Sequence, residues 1–381
     1  MIPYGRQDIR QDDVDAVVDA LRSDFLTQGP KVPEFEAAVA QAADAKHCVA
    51  VNSATSALHV ACRALGLGPG DLMWTSPITF VASANVGHLC GADVDFVDID
   101  PETFNMSPAA LADKLAQAKA EDRLPKIIMP VHMCGQSADM AAIGALANEF
   151  GAKVVEDASH AIGGRFGNRP VGACEHSDIA VFSFHPVKIV TTAEGGAATT
   201  QDAALAERMQ LFRSHGVTRD QALFEGENDG PWYYQQLELG LNYRMTDLQA
   251  ALGIAQMRRL DEYVARRNAL ADRYDTLLAD MPVALPGRLD KAYSAFHLYA
   301  IRVDAGRRRE VFEHLRANGI GANVHYIPVH TQPYWRRFGF NEGQFPAAED
   351  YYARAISIPL YPAMTDADQD KVVEVLSEAL A

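Results

Sequence analysis

The stretch KIIMPVHMCGQSADMAAIGALANEFGAKVVEDA, residues 126–158, reads as a strand, a helix and a second strand. KIIMPVH (126–132) and KVVEDA (153–158) are short apolar runs rich in β-formers. Between them, ADMAAIGALANEFG (138–151) has a helical pattern and stops at Gly151, a residue free to adopt the left-handed turn that ends a helix. The same alternation extends outward from about residue 47 to 200. Further strands are expected at HCVAV (47–51), LMWTS (72–76), VDFVDI (94–99), IAVFSF (179–184) and GAATT (196–200). Ser107 and Pro108 open another helix, with serine suited to the cap and proline to the first turn. Strand–helix alternation of this kind implies an α/β fold around a largely parallel sheet.

Beyond this region the pattern changes. A long helical stretch starts near Thr246, and after it come a strand at HLYAIRV (297–303), a helix at RRREVFEHLRANG (307–319) and a C-terminal helix after Pro362. We expect a large domain over residues 1–245 and a smaller C-terminal α/β domain over 246–381, with the first dozen residues packing on the smaller one. A chain of 381 residues, 48% hydrophobic, has ample material for two cores.

The net charge of −16 argues against nucleic acid or an anionic membrane as partner. Five cysteines lie far apart without a CxxC pair, as expected of reduced thiols. The N-terminus, MIPYGRQDIRQDD, has no apolar signal core, and no apolar run approaches the length of a membrane span. A cytoplasmic protein is the expectation.

Four segments carry chemistry. In VFSFHPVKIVTTAEGG (181–196), Lys188 follows an apolar strand in a turn near Thr191, Thr192, Gly195 and Gly196. A lysine there can be desolvated, which lowers its pKa and lets it condense with an aldehyde. In KVVEDASHAIGG (153–164), Asp157 sits at the carboxyl end of a strand, where ligand-facing residues of parallel sheets lie. Buried, it needs a cationic partner such as a pyridinium nitrogen. The alternative is a helix-capping aspartate; His160, three residues on, could contact a cofactor ring oxygen, but taken alone it reads as a structural histidine. In VNSATSALHVACRAL (51–65), Ser53, Ala54, Thr55 and Ser56 open a helix whose free N–H groups suit a phosphate, or simply cap it. In TSPITFVASAN (75–85), Phe80 could stack on a planar ring or join the core. Neither GxGxxG nor GxxxxGK[ST] occurs at the required places. His132, Cys134, His160 and His185 match no zinc spacing, so no metal is expected.

These segments in this order resemble the DegT/StrS-type sugar aminotransferases. The shared stretches include LTQGPKVPEFE (26–36), NSATSALH (52–59), EDASHAIGG (156–164), FSFHPVKIVTTAEGGA (182–197), FRSHG (212–216), GLNYRMTDLQAALG (240–253), HYIPVH (325–330) and AEDYYARAISIPLYP (348–362). The resemblance implies a fold-type I PLP-dependent transferase, with helices on both faces of the central sheet and pyridoxal 5'-phosphate as cofactor. It implies that Lys188 is the Schiff-base lysine and proton carrier, and that Asp157 pairs with the pyridinium. His160 stands where the family often has glutamine, facing the ring hydroxyl. Ala54, Thr55 and Ser183 hold the phosphate, and Phe80 covers the ring. The implied assembly is a homodimer with shared sites, in which Asn242 reaches the neighbour's phosphate and Arg244 contributes. Lys31, Arg244 and His325 are the candidates for the substrate's phosphates.

Within the family the motifs are most similar to the transaminases of pseudaminic acid biosynthesis. Those aminate the 4-keto group of a UDP-linked 2-acetamido-2,6-dideoxy sugar with glutamate as donor, leaving 2-oxoglutarate. The rival substrate is another keto-sugar or an aminocyclitol precursor. A PLP-dependent sugar dehydratase of this fold carries histidine in place of the lysine, which Lys188 argues against.

Overall fold

The computed structural model describes residues 1–381. Its centre is a seven-stranded sheet built from β1 (His47–Val51), β2 (Leu72–Thr75), β3 (Asp93–Phe96), β4 (Ile127–Met129), β5 (Lys153–Asp157), β6 (Ile179–Ser183) and β7 (Gly196–Thr200), in the order β1-β7-β6-β5-β4-β2-β3. The pairs β2–β3, β2–β4, β4–β5 and β5–β6 are parallel, as the strand–helix alternation requires. β7 alone runs the other way, antiparallel to both β6 and β1. The reason lies in its connection. Residues 184–195 form no helix, and a strand returning without a crossover helix comes back antiparallel.

The helices close both faces. α1 (Gln11–Arg22), α2 (Lys31–Ala43), α3 (Ala54–Ala64), α4 (Ala82–Leu89), α5 (Pro108–Ala120), α6 (Met140–Phe150) and α7 (Ala203–Arg213) belong to the large body. Ser107 caps α5 by accepting the Ala110 N–H, and Gly151 ends α6 in the left-handed region, as their sequence positions suggest. One core gathers Val49, Val51, Met73, Ile127, Val155 and Val181 with the buried faces of α3 and α4. A second lies under α2, where Val32, Phe35 and Val39 meet Phe182, Phe184, Ala250 and Ile254.

The long helical stretch after Thr246 is two helices, α8 (Asp247–Met257) and α9 (Leu260–Leu277). Thr246 caps α8 in a capping box with Gln249. The break at Arg258 and Arg259 is stitched to α1: Arg259 donates to both oxygens of buried Asp13, at 2.6 and 2.5 Å. α8 packs in the core beneath α2, and so does the first half of α9, through Leu260, Tyr263 and Val264. The second half of α9, through Leu270, Ala271 and Tyr274, enters a separate core. That core also holds β8 (Tyr299–Arg302), its antiparallel partner β9 (Ala355–Ile358), α10 (Arg308–Ala317) and α11 (Asp366–Leu380). Ile2 bridges Ile320 on the same unit. No helix is long and apolar enough to cross a membrane.

Phe35 is wholly buried and meets Phe184 edge-on at 5.0 Å, directly below the turn that follows β6. Phe35→Ala is expected to lower unfolding stability by about 3–5 kcal/mol in a denaturant titration, the range for deleting a core phenyl ring. A change under 1 kcal/mol would show that α2 can collapse into the gap.

Candidate active site

The carboxyl ends of β4, β5 and β6 and the start of β7 meet at one edge of the sheet, where open α/β sheets bind ligands. A cavity of about 440 Å³ lies there. Ala54, Thr55, Phe80, Asp157, His160, Ser183, Lys188 and His325, all proposed from the sequence, line it together. Tyr4, Ser159, His185, Glu194, His297 and Tyr326 join them.

Asp157 ends β5 with its side chain 5% exposed. Its Oδ2 accepts the Ser83 hydroxyl at 2.6 Å and its Oδ1 accepts the Ser159 N–H at 3.1 Å. It forms no ion pair within the protein. A buried carboxylate with only neutral donors is poorly compensated, and a pyridinium placed against it would supply the missing charge.

Lys188 lies in the turn between β6 and β7. Its N–H reaches the His185 carbonyl at 2.9 Å, and the Thr192 N–H closes the turn on the Phe184 carbonyl at 2.9 Å. Ile189 and Val190 anchor the same turn in the core under α2. The residue as a whole is half-buried, but its ammonium is crowded enough for desolvation to lower its pKa to about 7, with the Asp157 carboxylate pulling the other way.

At the far side is the N-terminus of α3. Ser53 caps it, its hydroxyl accepting the Ser56 N–H. Helix geometry leaves the N–H groups of Ala54 and Thr55 without intrahelical acceptors, a seat for a phosphate. β7 presses on this turn through Gly196, where a Cβ would stand 2.6 Å from Ala54 N and from the carbonyl of Ser53. No side chain can replace that hydrogen without moving the cradle. The residues thus fit pyridoxal phosphate at all three of its functional ends: aldehyde at Lys188, ring nitrogen at Asp157, phosphate at α3.

The cavity wall carries four histidines, His160, His185, His297 and His325, and burial acts strongly on three of them. Burial drives His160 and His297 well below the usual imidazole range, with the Lys188 charge adding to the effect. His325 is lowered to about 4 by burial and then by Lys188. His160 Nε2 meets the Tyr326 hydroxyl at 3.1 Å, and the His160 and His297 rings lie 4.4 Å apart. The Nδ1 atoms of both are buried without a partner. His325 Nδ1 meets Ser357 Oγ at 2.9 Å. Its Nε2 lies 3.3 Å from Asn323 Nδ2, so both ring nitrogens are engaged and the imidazole faces the cavity uncharged.

Three proposed residues are not in this cavity. Lys31 is partly exposed on α2 and pairs with Glu34 at 2.8 Å. Asn242 is exposed, with its backbone bridged to Ser214. Arg244 bridges Val51 through its backbone, and its Nε is buried without a partner. Conversely, Ser83, His297 and Tyr326 were not picked out as site residues, although each lies within or beside a quoted motif: TFVASAN, HLYAIRV and HYIPVH. Their polar groups amid apolar neighbours were the available signal.

The DegT/DnrJ/EryC1/StrS aminotransferase family model matches residues 7–377. The chain belongs to this family. Spore coat polysaccharide biosynthesis protein SpsC of Bacillus subtilis (strain 168) is 40% identical over 384 residues, covering 99% of this chain and 96% of that protein. Helicobacter pylori PseC, an aminotransferase involved in the biosynthesis of pseudoaminic acid, superposes with a TM-score of 0.91 at 30% identity, over 100% of this chain and 99% of that one. The PLP-form of the putative sugar aminotransferase Spr1654 from Streptococcus pneumoniae superposes with a TM-score of 0.89 at 29% identity, over 99% and 98% of the two chains. This DegT/DnrJ/EryC1/StrS member is therefore a sugar aminotransferase of fold type I that uses pyridoxal phosphate.

The lowered lysine pKa sets a pH dependence in the cofactor-free protein. Below about pH 7 Lys188 is an ammonium and cannot condense; above it the amine is free. The rate of cofactor condensation, followed by stopped-flow absorbance, is expected to rise with pH and level off above about 7. An ordinary lysine would still be gaining at pH 9. Asp157→Asn removes the upward influence, so the midpoint should move to lower pH. An unmoved midpoint would separate the two residues electrostatically.

Proposed function

We propose that this chain transfers the amino group of L-glutamate to the 4-keto carbon of a nucleotide-linked deoxy sugar, a UDP-2-acetamido-2,6-dideoxy-4-hexulose. The observation that carries the reading is the single cavity in which Lys188, Asp157 and the N-terminal turn of α3 face one another. The choice of sugar is supported by the likeness to the H. pylori enzyme of pseudoaminic acid biosynthesis.

Bound in the cavity, the cofactor supplies an aldehyde for amine exchange and a ring that accepts electron density. Asp157 holds the proton on the ring nitrogen, which keeps the ring electron-withdrawing. The N–H groups of Ala54 and Thr55, with Ser183, fix the phosphate. His160 would face the ring hydroxyl, and Phe80 would cover the ring face. Lys188, on the connection between β6 and β7, would be the group that condenses with the aldehyde and, when not condensed, the base of the site. It removes the α-proton of glutamate in the first half-reaction and delivers a proton to sugar C4 in the second. Burial favours the neutral amine that such a base needs.

Two copies complete the site in this proposal. Phe80 is 60% exposed in the single chain, and Leu239 and Leu241, beside Asn242, are exposed as well. Phe80 stands at the cavity and the two leucines outside it; apolar groups of this size left in water call for a cover, and from that cover Asn242 and Arg244 would reach the neighbour's cofactor phosphate. Lys31 and His325 are assigned to the substrate side.

Incubation with [15N]glutamate and a panel of nucleotide keto-sugars, read by mass spectrometry, tests the substrate. Incorporation of 15N at C4 of the UDP-2-acetamido-2,6-dideoxy sugar is expected. Incorporation only into another keto-sugar or a keto-inositol would replace the substrate while leaving the chemistry. Lys188→Ala is expected to reduce turnover to background, and retained turnover would overturn the assignment. Light scattering should give twice the 41.5 kDa of one chain.

A further inference from the structure

Asp157 is held by a second layer of polar groups that its own strand does not provide. Ser83, in the first turn of α4, is wholly buried, and Thr79, four residues earlier, is nearly so. Ser83 Oγ lies 2.6 Å from Asp157 Oδ2 and 2.7 Å from Thr79 Oγ1. An ionised carboxylate has no proton to give, so Ser83 is the donor to Asp157. A hydroxyl has one proton, so Thr79 must be the donor to Ser83. The Phe80 carbonyl, 3.3 Å from Ser83 Oγ, is a longer and weaker claimant for the same proton. The result is a one-way chain, Thr79 to Ser83 to Asp157, in which each bond polarises the next.

The chain has a geometric effect. Oδ1 is held by the Ser159 N–H from the turn after β5, and Oδ2 is held from α4. Two independent elements therefore fix the plane of the carboxylate. Without Ser83, one oxygen would lose its only protein donor and the group could rotate about its χ2 bond.

We propose that Ser83 is the positioning residue that aims the Asp157 carboxylate at the ring nitrogen of the cofactor, with Thr79 acting only through Ser83. This rests on the role assigned to Asp157 above. The same residues tie the Phe80 segment to Asp157, so the group over the ring and the group at its nitrogen share one anchor.

The test compares binding of pyridoxal phosphate with that of its 1-deaza analogue, in which CH replaces the ring nitrogen. Dissociation constants are measured by absorbance titration of the full-length, cofactor-free protein. Ser83→Ala is expected to weaken the natural cofactor by roughly ten- to a hundredfold, the range for one hydrogen bond to a charged group. Binding of the analogue should change by less than about twofold, because it makes no bond to Asp157. Thr79→Val should weaken the natural cofactor by about threefold, and the double variant should match Ser83→Ala.

Equal weakening of both ligands would reduce Ser83 to a packing role and overturn the proposal. So would additive effects of the two substitutions. Thr79→Val keeps nearly the same volume and provides the same comparison should Ser83→Ala fail to fold. If the unsubstituted protein itself binds both ligands equally, the role of Asp157 falls, and this inference with it. If that protein discriminates and Ser83→Ala discriminates equally well, only the role of Ser83 falls.

Discussion

The Asp157 carboxylate sits almost out of reach of water, with two neutral donors and no cation of the protein paired to it. Burying a charge on those terms is expensive, and proteins keep such groups where a ligand or a reaction supplies the balance. Here the surroundings amplify the demand. Lys188 is the nearby cation, yet desolvation has already weakened its hold on the proton. Three of the four histidines on the wall, His160, His297 and His325, are held neutral by the same desolvation. The cavity is thus short of positive charge on the side where a protonated pyridine would lie, and rich in N–H groups on the side where a phosphate would lie.

The fold delivers this arrangement through the direction of its strands. β4, β5 and β6 run parallel and release Val131, Asp157 and Ser183 at one edge. β7 enters at that same edge because it runs backward, and its first residue is the glycine that lets it touch α3. The turn between β6 and β7 is consequently short and pinned at both ends, and Lys188 is fixed within it. A parallel β7 would have needed a crossover helix, and the lysine would have lost its place beside Asp157.

Much of this is readable in the chain itself. Apolar runs of five to seven residues mark the strands to within a few positions, and Asp157 and Lys188 stand at or just beyond the ends of two of them. The reversal of β7 was less visible, because a short strand looks the same in either direction. The stop at Arg258 and Arg259 was hidden by an unbroken helical pattern, since the pairing of Arg259 with Asp13 spans 246 residues. Ser83, His297 and Tyr326 come from three distant segments, and only folding shows that they converge.

α9 begins in one core and ends in the other. Near its middle, buried Arg267 donates to the carbonyls of Phe296, His297 and Leu360 at 3.1, 3.3 and 3.1 Å. One continuous helical rod is thus shared by both cores, and Arg267 bolts it to the second of them. Pulling α9 out of that second core would strip three carbonyls of their donor in a dry interior. Any rotation of one core against the other must therefore bend the backbone of α9 itself, so the cost of such a motion falls on the helix's own ladder of hydrogen bonds.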